Sequence, residues 1–119
     1  MQIQINTDHN IKGHEALAAQ VRGVVESALS HLSDHITRVE VHLSDESSHK
    51  STQNDKRCMM EARLEGRQPI AVTDEEATVV QAVDGAAGKL ARLIESTLGR
   101  QRVERSHRTD PPPPGSVSN

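Results

Sequence analysis

Residues 73–108 read TDEEATVVQAVDGAAGKLARLIESTLGRQRVERSHR, and their periodicity decides which fold the chain can adopt. Apolar residues recur every three or four positions, which is typical of an amphipathic helix with one face on a core. They are Val79, Val80, Val83, Ala86, Ala87, Leu90, Ile94 and Leu98. We therefore expect one long helix that packs this stripe on the rest of the domain and turns its polar face outward.

The predicted helix has a start signal and a stop signal. Thr73 and Glu76 match a capping box, in which each side chain bonds the backbone N–H of the other residue. Asp74 and Glu75 would place negative charge at the positive end of the helix dipole. Gly99 predicts the stop, because glycine is the preferred residue just after a helix. The sequence thus predicts a helix that begins after Thr73 and ends at Gly99.

The chain before this helix contains one more helical pattern, over residues 14–32, and four strand patterns. The strand segments alternate apolar and polar residues, which indicates half-buried strands. They are residues 2–6, 36–44, 56–65 and 68–72. Pro69 cannot donate a ladder hydrogen bond, so we expect the last strand at a sheet edge.

The element order β-α-β-β-β-α predicts an α+β fold in two layers. The first β-α-β connection is long enough for a parallel crossover, and the later strands have hairpin-like connections. We therefore expect a four-stranded mixed sheet with both helices packed on one face. This domain should occupy residues 1–100, with a flexible loop at 45–55, where no residue is apolar. Residues 101–119 are basic and then proline-rich, which predicts a disordered tail.

The composition narrows the chemistry of the protein. The chain has no Phe, Trp or Tyr, so its core must be aliphatic and it has no aromatic platforms on which bases could stack. It has one cysteine, Cys58, on the apolar side of its strand, which indicates a buried, inert thiol. No phosphate loop, nucleophile elbow or metal-ligand spacing is present. We expect a protein that is not an enzyme and uses neither a metal nor another cofactor.

Charge is distributed unevenly along the chain. The formal net charge is −3, and residues 1–88 hold eight basic and fourteen acidic residues. Residues 89–108 instead hold six basic and two acidic residues. A basic stretch of this kind favours contact with RNA phosphates, although it would also be stabilised simply by lying near a helix C-terminus. The polar N-terminus carries no signal or membrane pattern, which predicts a cytoplasmic protein that contacts no membrane.

The element order and the stretch AVDGAAGKLARLI at residues 82–94 resemble the ribosome hibernation promoting factor family, which includes the ribosome-associated inhibitor A proteins. The resemblance covers roughly residues 1–100 and is sharpest at Ala82-Val83-Asp84 and Lys89-Leu90-x-Arg92. It implies a short, divergent member that binds rRNA of the small ribosomal subunit and silences translation under stress or in stationary phase. No small-molecule substrate is implied, and we expect a monomer or weak dimer.

The resemblance also implies the RNA-contacting residues. Lys89 and Arg92 match the family motif, and Arg22 is a weaker third member on the first helix. The arginines that follow the predicted helix would add electrostatic affinity; they are Arg100, Arg102 and Arg105. The chain departs from the family by lacking several lysines on the first helix and further lysines after Arg92.

Two other functions are compatible with the same fold. The acidic balance of residues 1–88 is compatible with a protein-interaction or regulatory module that has lost ribosome binding. A two-layer domain with helices on one face could also read the shape of double-stranded RNA. Ribosome binding that weakens with salt would indicate the leading function, contact with rRNA phosphates, rather than the protein-interaction module. Phosphate contacts are strongly salt-dependent.

Overall fold

A computed structural model describes residues 1–8, 11, 14–46 and 55–109, and it describes side chains within these ranges except those of residues 14 and 100–109. Six main elements follow the predicted order. They are strand β1 (Gln2–Thr7), helix α1 (His14–Leu29), strand β2 (Ile36–Asp45), strand β3 (Lys56–Leu64), strand β4 (Ile70–Glu76) and helix α2 (Val79–Thr109). A short 3-10 helix, Ser30–His35, joins α1 to β2.

The four strands form one mixed sheet in the order β1-β2-β3-β4. Strand β1 pairs parallel with β2, because α1 carries the chain back across the sheet between them. The pairs β2–β3 and β3–β4 are antiparallel. Strand β4 lies at an edge, as the sequence predicted, but it begins at Ile70, so Pro69 precedes the strand instead of lying inside it.

The core lies between one face of the sheet and the two helices. Inward-facing residues of β2 and β3 alternate with outward-facing polar residues, which is the pattern that places one face of a sheet on a core. The largest fully buried side chains come from both layers; they are Leu29, Met60, Leu90, Ile94, Val21, Val25, Val39, Val41, Val83 and Cys58. The two-layer α+β fold with an aliphatic core is therefore confirmed.

The predicted start of α2 at Thr73 is wrong. Strand β4 continues to Glu76, and Thr73 lies opposite Met59 in the antiparallel ladder. The helix begins at Val79, where the Thr78 hydroxyl accepts a hydrogen bond from the backbone N–H of Gln81 at 3.1 Å. Thr78 is therefore the N-cap residue, because it satisfies one of the N–H groups that lack a partner within the helix.

Residues 74–76 remain in a strand because they continue the antiparallel ladder with β3. The register places Glu75 opposite Arg57 and Glu76 opposite Lys56. Opposite-charge pairs that face each other across antiparallel strands stabilise the pairing by about 0.2–1 kcal/mol each. These positions face each other only when β4 extends past Thr73, and the Lys56 amine itself lies 2.8 Å from Asp55 and 3.4 Å from Asp45.

The predicted end of α2 at Gly99 is also wrong, because the helix continues to Thr109. Glycine in a helix interior costs about 1 kcal/mol relative to alanine, which flanking helix formers can outweigh. Among the described residues only Gly66 has a positive φ, at 72°, so Gly99 does not adopt the left-handed conformation of a stop. The described backbone of α2 therefore includes part of the segment predicted to be a tail, whereas residues 47–54 and 110–119 lie outside the described residues.

Two smaller expectations also differ from the structure. Val80, assigned to the apolar stripe of α2, is 41% exposed because it lies in the first turn of the helix, at its outer side. Helix α1 ends at Leu29 rather than at residue 32, and Leu32 instead reaches the core from the 3-10 helix.

Gly66 occupies the turn between β3 and β4, where its positive φ satisfies the turn geometry.

Gly85 on α2 is required by close packing rather than by backbone conformation. A methyl group at this position would collide with Oδ2 of Asp74 on β4. We predict that Gly85→Ala lowers the free energy of unfolding by about 1–3 kcal/mol, because overpacking outweighs the gain in helix propensity. Gly23→Ala on α1 is the matched control, since a methyl group there meets nothing within 4 Å.

Chemical denaturation measures the free energy of unfolding of Gly85→Ala and Gly23→Ala. The control should gain about 0.5–1 kcal/mol, the usual difference between alanine and glycine in a helix. Equal stabilisation by the two substitutions would contradict the close packing of Gly85 on Asp74.

Candidate nucleic-acid interface

The predicted RNA-contacting residues of the folded core lie on the helix layer. Arg22 is exposed on α1, and Lys89 and Arg92 are exposed on α2, three positions apart on one helical face. A methyl group on Gly88 would lie 3.4 Å from Nη1 of Arg92, so the Arg92 guanidinium lies back along the helix beside Gly88. The structure thus places Lys89 and Arg92 on neighbouring turns of α2, with the Arg92 guanidinium beside Gly88, and places Arg22 on the neighbouring helix.

An open groove separates α1 from α2 beside Arg92. Small and polar residues line it: Gln20, Gly23, Val24, Ser27, Ala28, Asp84, Ala87 and Gly88. Because most of these side chains are short, the backbone of a bound ligand could come close to both helices. Gly88 lines this groove and lies next to the Arg92 guanidinium. On the other helix, Arg22 directly precedes the groove residue Gly23 in sequence.

Lys89 makes a specific contact within the protein. Its Nζ donates hydrogen bonds to Oδ1 of Asp74 at 2.7 Å and to the carbonyl oxygen of Thr73 at 3.0 Å. Asp74 faces the helix layer from β4 and is only 8% exposed. Lys89 therefore ties α2 to the edge strand, and much of its charge is compensated locally.

Arg22 and Arg92 differ from Lys89 in this respect. Within the described parts of the chain, neither arginine makes an ion pair with a carboxylate. A guanidinium without a protein partner keeps all five N–H donors for a ligand, and its fork geometry suits phosphate oxygens. Both arginines are consequently better placed than Lys89 to neutralise an external anion.

Arg100, Arg102 and Arg105 belong to the same helix as Lys89 and Arg92. Helix α2 runs without a break from Val79 to Thr109, and Ile94 is the last fully buried residue among those of its side chains that are described, up to residue 99. The side chains beyond residue 99 lie outside the described residues, but the helical backbone extends about 15 Å from Gly99 to Thr109 at the usual rise per residue. The three arginines are thereby joined to the folded domain by a continuous helix.

The described surface of the helix layer is not basic by itself. Its exposed carboxylates are Glu15, Glu26, Asp34, Asp84 and Glu95. Its exposed cations are Arg22, Lys89 and Arg92. Glu95 lies 2.6 Å from Nε2 of His31, which links α2 to the 3-10 helix. The excess of positive charge therefore lies in residues 100–108, which hold four arginines and one glutamate.

The opposite face of the sheet has its charges paired among themselves. Glu40 on β2 lies within 3.5 to 3.9 Å of nitrogen atoms of Arg38, His42 and Arg63. Arg38 also donates a hydrogen bond to the Gln4 side chain. Cations held by a central carboxylate are poor candidates for binding a polyanion, so this face is a weaker candidate than the helix layer.

Asp74 is the site residue that sequence analysis missed. The acidic run at residues 74–76 was interpreted as charge at a helix start, which would have left all three side chains in solvent. Extending the strand pattern by two steps would have placed Asp74 on the inner face, opposite Cys58. From the inner face, the Asp74 carboxylate can reach a cation on the helix that follows, and Lys89 is that cation.

The buried thiol next to Asp74 is inert at neutral pH. Cys58 is fully buried, as the sequence predicted. Burial, followed by the negative charge of Asp74, raises the pKa of the Cys58 thiol to about 12. The thiolate is the reactive form of cysteine, so Cys58 has no nucleophilic role near pH 7.

The Asp74 carboxylate also acts on Glu76, two residues further along β4. It raises the pKa of the Glu76 carboxyl, first by accepting a hydrogen bond from the protonated form and then by charge repulsion. A raised pKa means that the folded state favours neutral Glu76. The stabilisation that neutral Glu76 provides is fully present below the pKa that Glu76 has in the unfolded state. It is lost as pH rises through the pKa of Glu76 in the folded state.

We therefore predict that Glu76→Gln becomes progressively more stable relative to the unsubstituted protein between about pH 4 and pH 7. Glutamine stays neutral, so it avoids the repulsion that develops as Glu76 ionises. Thermal unfolding at both pH values measures the difference, with Glu65→Gln at the exposed turn as the control for losing one carboxylate. A stability difference that does not change with pH would contradict the Asp74–Glu76 interaction.

Two solved structures share this fold. The structure is similar to the N-terminal domain of Protein Y from Thermus thermophilus, with a TM-score of 0.60 and 23% identity, covering 82% of this chain and 99% of that one. It is also similar to a ribosomal subunit interface protein from Coxiella burnetii, with a TM-score of 0.62 and 19% identity, covering 83% of this chain and 99% of that one. The chain therefore has the same α+β fold as these two proteins.

The sequence itself supplies the family. Residues 4–102 match the family described as sigma 54 modulation protein / S30EA ribosomal protein. The chain belongs to this family of ribosome-associated proteins, which confirms the resemblance to ribosome hibernation factors. No curated protein matches the chain. None of the helices in the described residues is long and apolar enough to cross a membrane.

Proposed function

We propose that this protein binds the small ribosomal subunit through rRNA and silences translation under stress or in stationary phase. The observation that carries the proposal is the family match over residues 4–102, which covers α2 as far as Arg102. The protein would act in the cytoplasm as a monomer or weak dimer. It would inhibit by occupying ribosomal surface, without catalysing a reaction.

The contacts would be made by cations on α1 and along α2. Arg22 and Arg92 lack an ion-pair partner in the described residues and flank or adjoin the groove between the helices. Arg100, Arg102 and Arg105 continue α2 beyond the core. Each phosphate that such a residue neutralises releases counterions, which favours binding at low salt. Folded RNA is recognised largely by shape and backbone, so a chain without aromatic residues can bind it.

Sedimentation with purified ribosomal particles tests the proposal. The protein should pellet with small subunits and with whole ribosomes, and less with large subunits, and binding should weaken steeply as salt is raised. An RNA duplex added as competitor separates ribosome recognition from general binding of double-stranded RNA. Absence of co-sedimentation at every salt concentration would refute the proposed function.

A second candidate function is a protein-interaction module on the same fold. The observation that favours it is the described helix surface, where exposed carboxylates outnumber exposed cations. Binding of a protein partner that is insensitive to salt and recovers no rRNA would support this second function. Salt-sensitive recovery of rRNA would support the first.

A further inference from the structure

The contact between Asp74 and Lys89 is asymmetric in its exposure to solvent. The Asp74 side chain is 9% exposed, whereas the Lys89 side chain is 47% exposed, and their charged atoms lie 2.7 Å apart. The carboxylate is therefore held beneath α2, and the lysine reaches down to it from the helix surface. An external phosphate could approach only the outer side of the same amine.

Packing holds Asp74 in this position. Its Oδ2 atom lies directly under Gly85, where even a methyl group would not fit. With Glu76 ionised, no donor in the described residues reaches this buried Oδ2. Lys89 is consequently the main compensation for a buried negative charge, and removing one partner of such a pair leaves the other uncompensated.

The carbonyl oxygen of Thr73 strengthens the hold on Lys89. It accepts a second hydrogen bond from Nζ at 3.0 Å, so two of the three ammonium protons are used within the protein. Glu76 adds further negative charge near the pair when it is ionised. A phosphate that recruited Lys89 would have to compete with both acceptors and with this local negative potential.

We propose that Asp74 is an internal competitor of RNA phosphate for Lys89, and that it lowers the affinity of this protein for RNA. The proposal rests on the proposed function, because it concerns how strongly the same surface binds. Lys89, which matches the family motif, acts mainly in positioning α2 on β4. Arg92, three residues further along, supplies the available cation on this face.

Four variants test the proposal in the full-length chain. They are Asp74→Asn, Lys89→Gln, the combination of these two, and Arg92→Gln. Their binding to small ribosomal subunits is measured over a salt series, and far-UV circular dichroism and thermal unfolding establish that each variant is folded. Asp74→Asn preserves shape, so it removes the charge without opening a cavity beneath Gly85.

The expected results follow from the number of cations that face the RNA. Asp74→Asn should bind several-fold more tightly at low salt, and the slope of log K against log salt should steepen by roughly 0.7–0.9, the value for one added phosphate contact. Lys89→Gln should weaken binding less than Arg92→Gln does. In the Asp74→Asn background, Lys89→Gln should abolish the gain.

A second measurement requires no RNA. The rate at which acetic anhydride modifies the Lys89 amine, followed by mass spectrometry of the free protein, should rise several-fold in Asp74→Asn. Unchanged reactivity would overturn the proposal, because the amine would then not be held by Asp74.

The outcomes of the binding experiment separate the two proposals. If the unsubstituted protein binds and Asp74→Asn binds no better, this proposal is refuted and the proposed function stands. If only Asp74→Asn binds, competition between Asp74 and RNA for Lys89 is supported, and the proposed function of the unsubstituted protein is refuted. If neither binds at any salt, both are refuted.

Discussion

Shortening Leu90 to alanine is expected to lower the free energy of unfolding by about 2–5 kcal/mol, because it leaves a cavity in a core that cannot collapse around it. Leu90 is fully buried on α2, where the helix meets the sheet. The core has no aromatic side chain, so burial is spread over aliphatic residues of similar size. Small domains have a total stability of about 5–15 kcal/mol, and this single change removes a large share of it.

Val80→Ala on the same helix is the control for truncating an aliphatic side chain. Val80 is 41% exposed and forms no part of the core. Its substitution should change stability by no more than about 0.5 kcal/mol. Urea unfolding followed by circular dichroism at 222 nm suits a protein that lacks tryptophan and tyrosine. Similar losses for both variants would contradict the described packing of α2.

Replacing Arg100, Arg102 and Arg105 together by glutamine is expected to weaken ribosome binding by about 10- to 100-fold at low salt. Each lost phosphate contact should also reduce the slope of log K against log salt by about 0.7–0.9. The reason is the distribution of charge: the described helix surface carries more carboxylates than cations, whereas residues 100–108 carry four arginines against one glutamate. The folded core should keep its stability, since the core residues described on α2 end at Leu98, before the three arginines.

A control with the same change in net charge comes from the other side of the molecule. Arg57, Arg63 and Arg67 lie on β3 and the following turn, and Arg63 is already paired with carboxylates at 3.7 to 3.9 Å. Their replacement by glutamine should reduce binding much less. Sedimentation with small subunits compares the two triple variants. Equal losses would show that net charge, rather than the basic end of α2, determines affinity.

Most of the fold could be predicted from the sequence because every element has one apolar face. Alternation in β2 and β3 and the stripe from Val83 to Ile94 each require a partner layer, and few arrangements supply one. The element ends were harder to predict, since they depend on residues distant in sequence. The sequence pattern indicated a cap at Thr73, whereas the pairing of β3 with β4 keeps Thr73 in a strand and the helix is capped at Thr78.

The candidate site was predicted in part. Residue spacing placed Lys89 and Arg92 on one helical face, and the structure shows them there. The different surroundings of the two cations could not be predicted, because Lys89 is bound by a carboxylate fifteen positions earlier in the chain. That contact depends on the strand register of Asp74 and on the absence of a side chain at Gly85, neither of which a charge pattern reveals.

The inward-facing acid on β4 has a consequence for solubility. An edge strand presents unpaired N–H and C=O groups that can recruit a strand from another molecule, and edges of this kind are a common origin of aggregation. Asp74 places a charged group on the inner side of this edge, and Pro69 stands at its start without an N–H to offer. A second strand that added to this edge would have to bury its own residues beside the Asp74–Lys89 pair. We therefore expect the contact that joins helix to strand also to disfavour the addition of a strand at the β4 edge.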